Sequence, residues 1–531
     1  MTRSGEDVSR SHRPIAHFAA GAAKGALSDD LCVYRGIPYA APPVGARRWQ
    51  APQPLEPWAG VRDATDFGPA CTQPPRRAGS IYDNPIQPTG EDCLYLNIWA
   101  PEDARDLPVF VWIHGGSFIW GASSEPFYVG AALARRGAVV VSINYRLGVF
   151  GYLAHPELSA ESQDGVSGNY GLLDQIAALR WVKENISAVG GNRDNVTIAG
   201  ESAGALSVLY LMASPAARGL FHKAIAQSAY MISHPALKAN LNGHGPAEKA
   251  GEKLAAALGR QSIAEMREMD AQTLANEALK AGFEPLGTID GQILPAQLVD
   301  VFERGEQANV PLITGFNSGE IRSLPFLLPP LPATPEHYEA EIRMRYGDLA
   351  ETYLRQYPAD DMRESTLAGI RDTLYGWTTA KLGEAQKAVG APFYAYYFDH
   401  IYPAATAAGL EGFHACELPY LFDTLKSTPP LWPDIPATET EAALSRVIGD
   451  YWISFARDGV PSATGAPDWP AFDDAGGHIR FAGTARAEDD LLPGMFALND
   501  AVIGRRRAAG DTPWNWNVGV AAPEGQAEVS R

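Results

Sequence analysis

The stretch NVTIAGESAGALSVLYLM, residues 195–212, constrains the fold of this chain more than any other. Val196–Ile198 is a short β-branched run, which predicts a buried strand, and an apolar segment of helical length follows the turn after it. The turn reads Gly-x-Ser-x-Gly around Ser202, and Gly200 and Gly204 allow strand and helix to approach closely. This pattern predicts either an exposed nucleophilic serine or a glycine-rich turn that only joins two core elements. An oxyanion hole, and then an acid and a histidine later in the chain, would favour the nucleophile.

Two apolar runs upstream of this turn predict parallel strands. Pro108–Ile113 and Ala138–Ile143 are apolar without alternation, and Phe127–Arg136 between them has helical character. Strands apolar on both faces and separated by helices are typical of a parallel sheet covered on both sides. Val33–Ala40 and the alternating run Cys93–Trp99 are predicted as outer, antiparallel strands. The predicted fold class is α/β, with a large, mostly parallel central sheet.

Helical insertions interrupt the strand and helix alternation downstream. Ala247–Gly282, Glu336–Tyr357 and Asp360–Val389 have helical spacing, and apolar strands are predicted at Val310–Phe316 and Phe393–Phe398. Folds of the α/β class bind ligands at the carboxyl edge of the sheet. We therefore interpret the insertions as a helical cap over that edge, which shapes a substrate gorge.

A chain of 531 residues could hold several domains, but the ordinary apolar share of 46% and the even recurrence of turn residues are equally consistent with one large α/β unit with insertions. We expect a single domain over residues 1–531, with an N-terminal extension at about 1–30 and a flexible tail at about 521–531. The chain has 43 Lys and Arg against 62 Asp and Glu, a formal net charge of -19. This charge repels nucleic acid and anionic membrane surfaces, so neither is expected as a partner.

The sequence contains neither a secretory signal pattern nor an apolar run of about 18 residues, so a soluble, cytoplasmic protein without membrane insertion is expected. The chain has four cysteines without CxxC spacing. That pattern argues against a disulfide scaffold and against a metal site built from cysteine. Nothing in the sequence fixes an oligomeric state.

A glycine run follows one of the predicted parallel strands. Pro108–Ile113 ends at His114-Gly115-Gly116-Ser117-Phe118, where glycine lets backbone N–H groups turn toward a small anion. Such groups, with the N–H of Ala203 after the serine, would form an oxyanion hole. An ordinary glycine turn is the alternative.

One candidate acid and two candidate bases follow the later strands. Glu320 comes just after Val310–Phe316, at the same sheet edge as Ser202. His400 lies directly at the end of Phe393–Phe398, whereas His414 lies on a longer loop that could reach back over Ser202. Spacing alone does not distinguish between the two histidines.

Many stretches, in order, resemble the type-B carboxylesterase family, the carboxylesterase and cholinesterase group of α/β-hydrolases, and most of all its bacterial para-nitrobenzyl-esterase-type members. The resemblance runs from about residue 33 to about residue 472 and implies an α/β-hydrolase fold and serine carboxylesterase activity. The family motifs G-x-S-x-G, G-x-N-x-x-E and G-x-H-x-x-E-L imply Ser202 as nucleophile, Glu320 as acid and His414 as base, which decides against His400. The matching stretches are YRGIPYAAPPVG, EDCLYLNIW, VWIHGGSF, VSINYRLGVFGYL, GNYGLLDQIAALRWVKENISAVGG, NVTIAGESAG, AIAQSA, TIDGQILP, ITGFNSGE, GFHACELPYLF, ISFARDG and DWPAF.

The resemblance also implies roles for neighbouring residues. The oxyanion donors of the family correspond to Gly116, Ser117 and Ala203, and many members have glycine or alanine in place of Ser117. Ser228 matches a serine beside the acid. Glu201, next to the nucleophile, would suit cationic alcohols but also occurs in members with neutral substrates.

Other matches concern the fold rather than chemistry. The family's structural ion pairs correspond to Arg146 with Asp174 and to Arg48 with Glu91. Cys71 and Cys93 fall where the family has its first disulfide loop. Cys32 and Cys416 are interpreted as free thiols.

The implied mechanism is two-step acyl transfer, for which no metal or organic cofactor is expected. His414, oriented by Glu320, takes the proton of Ser202 during attack on an ester, and water then releases the acid from the acyl-enzyme. Small to medium, apolar or aromatic esters are the expected small-molecule substrates. The alternative is a non-catalytic recognition module on the same fold, which would have lost a triad residue. Candidate wall residues of the gorge are Trp120, Tyr230, Phe316 and Phe326.

Overall fold

A twisted sheet of eleven strands forms the centre of the protein in the computed structural model, which describes residues 14–86, 88–473, 475–514 and 517–524. The strands are β1 (Ala26–Ser28), β2 (Leu31–Pro38), β3 (Tyr95–Pro101), β4 (Leu107–Ile113), β5 (Val139–Ile143), β6 (Gly191–Glu201), β7 (Lys223–Gln227), β8 (Leu312–Asn317), β9 (Phe393–Phe398), β10 (His478–Phe481) and β11 (Ala485–Glu488). Their order across the sheet is β11-β10-β9-β8-β7-β6-β4-β5-β3-β2-β1.

The pairing of these strands confirms the predicted fold class. The block from β10 to β5 is parallel throughout. The strands β3, β2 and β1 at one end and β11 at the other pair in the antiparallel sense. The carboxyl ends of the parallel strands therefore lie along one edge, where their loops meet.

Helices cover both faces of the sheet. They are α1 (Ala131–Arg135), α2 (Gly148–Tyr152), α3 (Pro156–Glu161), α4 (Tyr170–Asn185), α5 (Ala203–Ala213), α6 (Ala247–Ala257), α7 (Ile263–Arg267), α8 (Ala271–Lys280), α9 (Leu298–Glu303), α10 (Pro335–Tyr346), α11 (Ala350–Gln356), α12 (Met362–Arg371), α13 (Trp377–Ala388), α14 (Pro403–Ala407), α15 (Leu418–Leu421), α16 (Glu439–Asp458) and α17 (Met495–Ala509). A π-helical segment, Asp372–Gly376, joins α12 to α13. Among the described helices, none has the length and apolar character needed to cross a membrane.

Alternate residues of the central strands supply two cores, one on each face. In β4, Val109, Val111 and Ile113 belong to the core that contains α4 and α5, whereas Phe110 and Trp112 belong to the core that contains α1 and α16. Successive side chains of a strand point to opposite faces, so a strand buried on both faces is apolar at every position. This explains why the predicted strands lack alternation.

The insertions contain more breaks than the sequence predicts. Ala247–Gly282, predicted as one helical stretch, is divided into α6, α7 and α8. Ser262 caps α7 by accepting a hydrogen bond from the N–H of Glu265, and Asp270 caps α8 in the same way. Glu336–Tyr357 is divided into α10 and α11 at Gly347, whose φ of 53° is unfavourable for other residues.

Several short elements near the ends of the chain are not predicted from the sequence. Within the expected N-terminal extension, Ile15–Phe18 and Gly21–Lys24 form a small sheet with Val61–Asp63. At the other end β10, β11 and α17 extend the fold. The segment expected as a flexible tail begins with a 3-10 turn, Gly519–Ala521, and the next residue, Ala522, is buried. Residues 525–531 of that tail lie outside the described part of the chain.

Both expected structural ion pairs are present. The guanidinium of Arg146 donates two hydrogen bonds of 2.7 Å to the carboxylate of Asp174, and the backbone N–H of Arg146 donates a third at 3.1 Å. Both side chains are almost fully buried. Arg48 and Glu91 form a similar bidentate pair at 2.6 Å.

We expect Asp174→Asn to destabilise the protein by about 3–5 kcal/mol, because the substitution leaves the buried Arg146 charge without its counter-ion. Chemical and thermal unfolding would measure the loss. Glu252→Gln is the matched control, because Glu252 and Lys249 form an ion pair of 2.6 Å between exposed side chains. Its effect should stay within about 1 kcal/mol. Equal effects of the two substitutions would contradict this account of Asp174.

Candidate active site

Ser202 occupies a strained turn between β6 and α5. Its φ of 58° and ψ of -121° lie in a sparsely populated region, which for residues other than glycine costs about 1–3 kcal/mol. The serine N–H donates to the carbonyl of Gln227 at the end of β7 over 3.0 Å. A Cβ on Gly204 would lie 2.1 Å from the carbonyl oxygen of Ile113, and one on Gly200 would lie 2.5 Å from the carbonyl carbon of Gly204. Only glycine therefore permits this approach of strand and helix.

The glycine run after β4 packs directly against this turn. A Cβ on Gly115 would lie 3.2 Å from the Cβ of Ser202. Gly116 and Ser117 have φ values of 104° and 57°, and a Cβ on Gly116 would meet the carbonyl oxygen of Trp120 at 2.2 Å. Gly116 and Ser117 line the same cavity as Ser202, and Ala203 is the buried first residue of α5.

Glu320 and His414 form a buried pair on the same side of the sheet. The carboxylate oxygen Oε2 of Glu320 lies 2.5 Å from Nδ1 of His414. The other oxygen, Oε1, accepts hydrogen bonds from the hydroxyl of Ser228 at 2.7 Å and from the N–H of Asn317 at 2.8 Å. Because Glu320 has no solvent exposure, these donors replace the water that would solvate the carboxylate.

Glu201 faces the other nitrogen of the same imidazole. Its Oε1 lies 3.0 Å from Nε2 of His414. Burial lowers the pKa of His414, but the negative charges of Glu201 and Glu320 outweigh burial and raise that pKa to about 9. Burial raises the pKa of Glu201 itself to about 8. The hydrogen bonds of the described residues include none between the hydroxyl of Ser202 and His414, although both line one cavity.

His400, the second candidate base from the sequence, has a different partner. Its Nε2 lies 2.7 Å from a carboxylate oxygen of Glu441 in α16, and that oxygen also accepts a hydrogen bond from the hydroxyl of Tyr420 at 2.7 Å. His400 is not among the residues that line the cavity. The structure thus brings His414, and not His400, to Ser202 and Glu320.

A cavity of about 1030 Å³ opens above Ser202. Trp120, Tyr230 and Phe326 lie on its wall, as expected from the sequence. Phe316 does not, because it is fully buried in β8 and its ring packs 5.4 Å from that of Tyr397.

The helical insertions contribute less of the wall than expected. Leu374 and Tyr375 of the π-helical segment line the cavity, and so do residues 284–286 after α8. The helices α10 and α11 supply no lining residue and instead pack on α17. Among the described residues, no group of three His, Cys, Asp or Glu side chains is arranged to hold a metal ion.

Comparisons with known proteins identify one family. The family model described as "Carboxylesterase family" matches residues 14–491. The chain is 38% identical to para-nitrobenzyl esterase of Bacillus subtilis over 85% of this chain and 91% of the relative. It is 36% identical to fumonisin B1 esterase of Sphingopyxis macrogoltabida, over 90% and 88%. A solved para-nitrobenzyl esterase structure superposes with a TM-score of 0.79 at 33% identity, covering 92% of this chain and 99% of that one.

The chain belongs to the carboxylesterase family. It is a serine carboxylesterase with the α/β-hydrolase fold, and its resemblance to para-nitrobenzyl esterases is confirmed. A carboxylesterase of Geobacillus stearothermophilus is also structurally similar, with a TM-score of 0.75 at 32% identity over 94% of this chain and all of the other.

A buried polar network joins the segments of the esterase that carry Glu320 and His414. The Glu417 carboxylate accepts hydrogen bonds from the side chains of Gln227 at 2.9 Å and Asn317 at 2.7 Å. The Asn317 side chain also donates to the carbonyl of Phe413 at 2.9 Å. Gln227 and Glu417 lie in the matched stretches AIAQSA and GFHACELPYLF, but their sequence positions alone gave no sign of the contact.

A second segment, which borders the cavity, contacts the loops that carry Glu320 and His414. We call residues 73–82 the rim segment. Its Tyr82 hydroxyl lies 2.7 Å from the Ser323 hydroxyl and donates to the backbone carbonyl of His414 at 2.9 Å. The hydroxyl of Ser323 in turn accepts from the N–H of His414 at 3.3 Å. Sequence reasoning missed Tyr82, because no local pattern indicates a partner more than 200 residues away.

The cysteines of the esterase are free thiols in the structure. Cys71 and Cys93, which the resemblance places at a disulfide loop, are buried neighbours joined by a hydrogen bond. That bond, together with burial, holds the pKa of Cys93 well above its usual range. Cys32 and Cys416 are free, as interpreted from the sequence.

Gly204→Ala should destabilise the esterase strongly, because the added Cβ would overlap the carbonyl oxygen of Ile113 and force strand and helix apart. Overpacking of this kind costs about 1–3 kcal/mol or more. Thermal unfolding and ester turnover would measure the effect. Gly245→Ala is the control, since a Cβ there meets no atom within 4 Å and the φ of Gly245 lies outside the left-handed region. An unchanged melting temperature for Gly204→Ala would refute the tight contact.

Proposed function

We propose that the esterase hydrolyses carboxylic esters through a triad of Ser202, His414 and Glu320. The observation that carries this proposal is the 2.5 Å contact of Glu320 with Nδ1 of His414, a histidine that lines the same cavity as Ser202. In a triad the acid fixes the histidine tautomer and stabilises the imidazolium. Catalytic hydrogen bonds to the serine often tighten only when substrate is bound.

The first step is acylation. His414 Nε2 takes the proton of the Ser202 hydroxyl while the serine oxygen attacks the ester carbonyl carbon, and a tetrahedral oxyanion forms. Backbone N–H groups of Gly116, Ser117 and Ala203 are the proposed donors to that oxyanion. One such donor is typically worth about 3 kcal/mol. The intermediate collapses when the alcohol leaves with the proton from His414, and the acyl group remains on Ser202.

Deacylation repeats these steps with water. His414 takes a proton from the water as it attacks the acyl carbon, and the carboxylic acid leaves as the serine oxygen regains a proton. Every group used belongs to the chain or to water. The strained torsions of Ser202 serve both steps, because they hold the oxygen clear of the sheet.

Small to medium apolar or aromatic esters are the proposed substrates. Trp120, Tyr230 and Tyr375 give the cavity an aromatic wall, and its volume of about 1030 Å³ accommodates a drug-sized molecule. The names of relatives, which include a para-nitrobenzyl esterase, a fumonisin B1 esterase and a phenmedipham hydrolase of Pseudarthrobacter oxydans, support ester hydrolysis and indicate no single substrate.

Ser202→Ala should lower kcat/KM by at least about 10³-fold, because it removes the nucleophile. The measurement uses p-nitrophenyl esters from acetate to laurate and a benzoate, and the chain-length profile of the wild type measures the acyl pocket. Ser187→Ala, at an exposed position, is the control and should retain full activity and fluorophosphonate labelling. A Ser202→Ala protein that keeps its activity would overturn the proposed nucleophile.

Glu201→Gln should move the acidic limb of the kcat/KM profile to lower pH. The charge of Glu201 raises the pKa of His414, so its removal lowers that pKa and leaves the base unprotonated at lower pH. Initial rates between about pH 5 and pH 10 would show the shift. Glu184→Gln, at an exposed position in α4, should leave the profile in place. An unmoved or upward-shifted limb would contradict the assignment of His414 as base.

A further inference from the structure

Arginines line the mouth of the cavity in a protein whose net charge is -19. Arg76 and Arg77 belong to the rim segment, and Arg322 follows Glu320 on the opposite loop. Cavities with low-dielectric walls concentrate the field of the charges that line them. The positive groups at the entrance therefore differ in sign from most of the molecular surface, and their partners indicate what they can bind.

Arg76 lies over the ring of Trp120, which belongs to the loop that carries Gly116. Its guanidinium carbon lies 5.6 Å from the ring centroid of Trp120. The indole N–H of Trp120 donates to the carbonyl of Pro74 over 2.9 Å, and Gln73 exchanges two hydrogen bonds with the backbone of Gly121. Stacking on an indole orients a guanidinium without consuming its N–H donors.

Two of the three arginines have no carboxylate partner. Arg322 forms an ion pair with Glu364. Within the described part of the chain, no carboxylate oxygen lies within 4 Å of a guanidinium nitrogen of Arg76 or Arg77. Arg76 is half-buried and Arg77 is exposed. Both therefore keep donors that a bound anion can use.

The acidic residues of the cavity offset these charges only in part. Glu125 is buried, and burial raises its pKa to about 7 against the lowering effect of Arg76. Burial likewise raises the pKa of Glu201 to about 8. Glu284 is exposed at the rim and, among the described residues, forms no ion pair with any of the three arginines.

We propose that the esterase prefers esters that carry a second, negatively charged group, a carboxylate, which Arg76 and Arg77 bind while Ser202 attacks the ester carbonyl. This inference rests on the proposed function. A planar guanidinium donates two parallel hydrogen bonds to a carboxylate, and such charge-assisted bonds are the strong ones. The bound carboxylate takes no part in the reaction, which consumes one water and gives an acid and an alcohol.

Two pairs of esters test the proposal, each matched in size and different in charge. The first is 4-nitrophenyl adipate monoester against 4-nitrophenyl hexanoate, with the charge in the acyl part. The second is 4-acetoxyphenylacetate against its primary amide, with the charge in the leaving group and one ester bond in each member. We expect kcat/KM to favour the anionic member of at least one pair, by about tenfold for one charge-assisted hydrogen bond. Raising the ionic strength should reduce the preference.

Variants separate this preference from general activity. R76Q/R77Q should reduce the anionic-to-neutral ratio at least about fivefold, whereas R76K/R77K keeps the charge and should retain more of it. R193Q, at an exposed arginine in β6 outside the cavity, should leave the ratio unchanged. R77Q alone changes an exposed side chain. If the double variant does not fold, the anionic-to-neutral ratio of R77Q provides the test.

A ratio above one that falls in the glutamine variants and not in R193Q supports the proposal. A ratio of one or less in both pairs, or a preference that survives R76Q/R77Q, overturns it while leaving the esterase mechanism intact. No turnover of any of the four esters overturns the proposed function, and the inference with it.

Discussion

The contact between Glu320 and His414 joins residues that are 94 positions apart, and the order of strands in the sheet makes it possible. Because β6, β7 and β8 are parallel neighbours, Ser202, Ser228 and Glu320 follow consecutive strand ends at one edge. Ser228 then donates to the carboxylate that Asn317 also satisfies. A buried carboxylate is tolerated only with such donors, so the sheet, the acid and the base depend on one another.

Local signals were sufficient to predict the serine turn and the position of Glu320 at the same sheet edge. Ser202 and Glu320 each follow an apolar strand directly, and a strand end fixes where the next residues lie. The position of His414 was not predictable from local signals. His414 lies well beyond its strand, and its position depends on contacts from Gly319, which pairs with Phe413, and from Tyr82. The family resemblance, and not spacing, distinguished His414 from His400.

The residues of the cavity wall are also only partly predictable from the sequence. Phe316 is one of the predicted wall residues, but in β8 its side chain is fully buried in the core. Tyr375 was not expected there. It comes from the π-helical segment, whose extra residue per turn carries no reliable sequence signal, and its ring centroid lies 5.9 Å from that of His414. Wall residues are set by such tertiary placement, which one-dimensional patterns do not contain.

The rim segment touches the loop of Gly116 at one end, through Gln73, and the loop of His414 at the other, through Tyr82. One short stretch of chain therefore contacts both the proposed oxyanion loop and the loop of the proposed base. Arg77 is exposed between these anchored ends, so its side chain can change without displacing either anchor. Insertions or deletions in the same stretch would displace an anchor, so substitutions at exposed positions are better suited than changes of length to altering this side of the cavity.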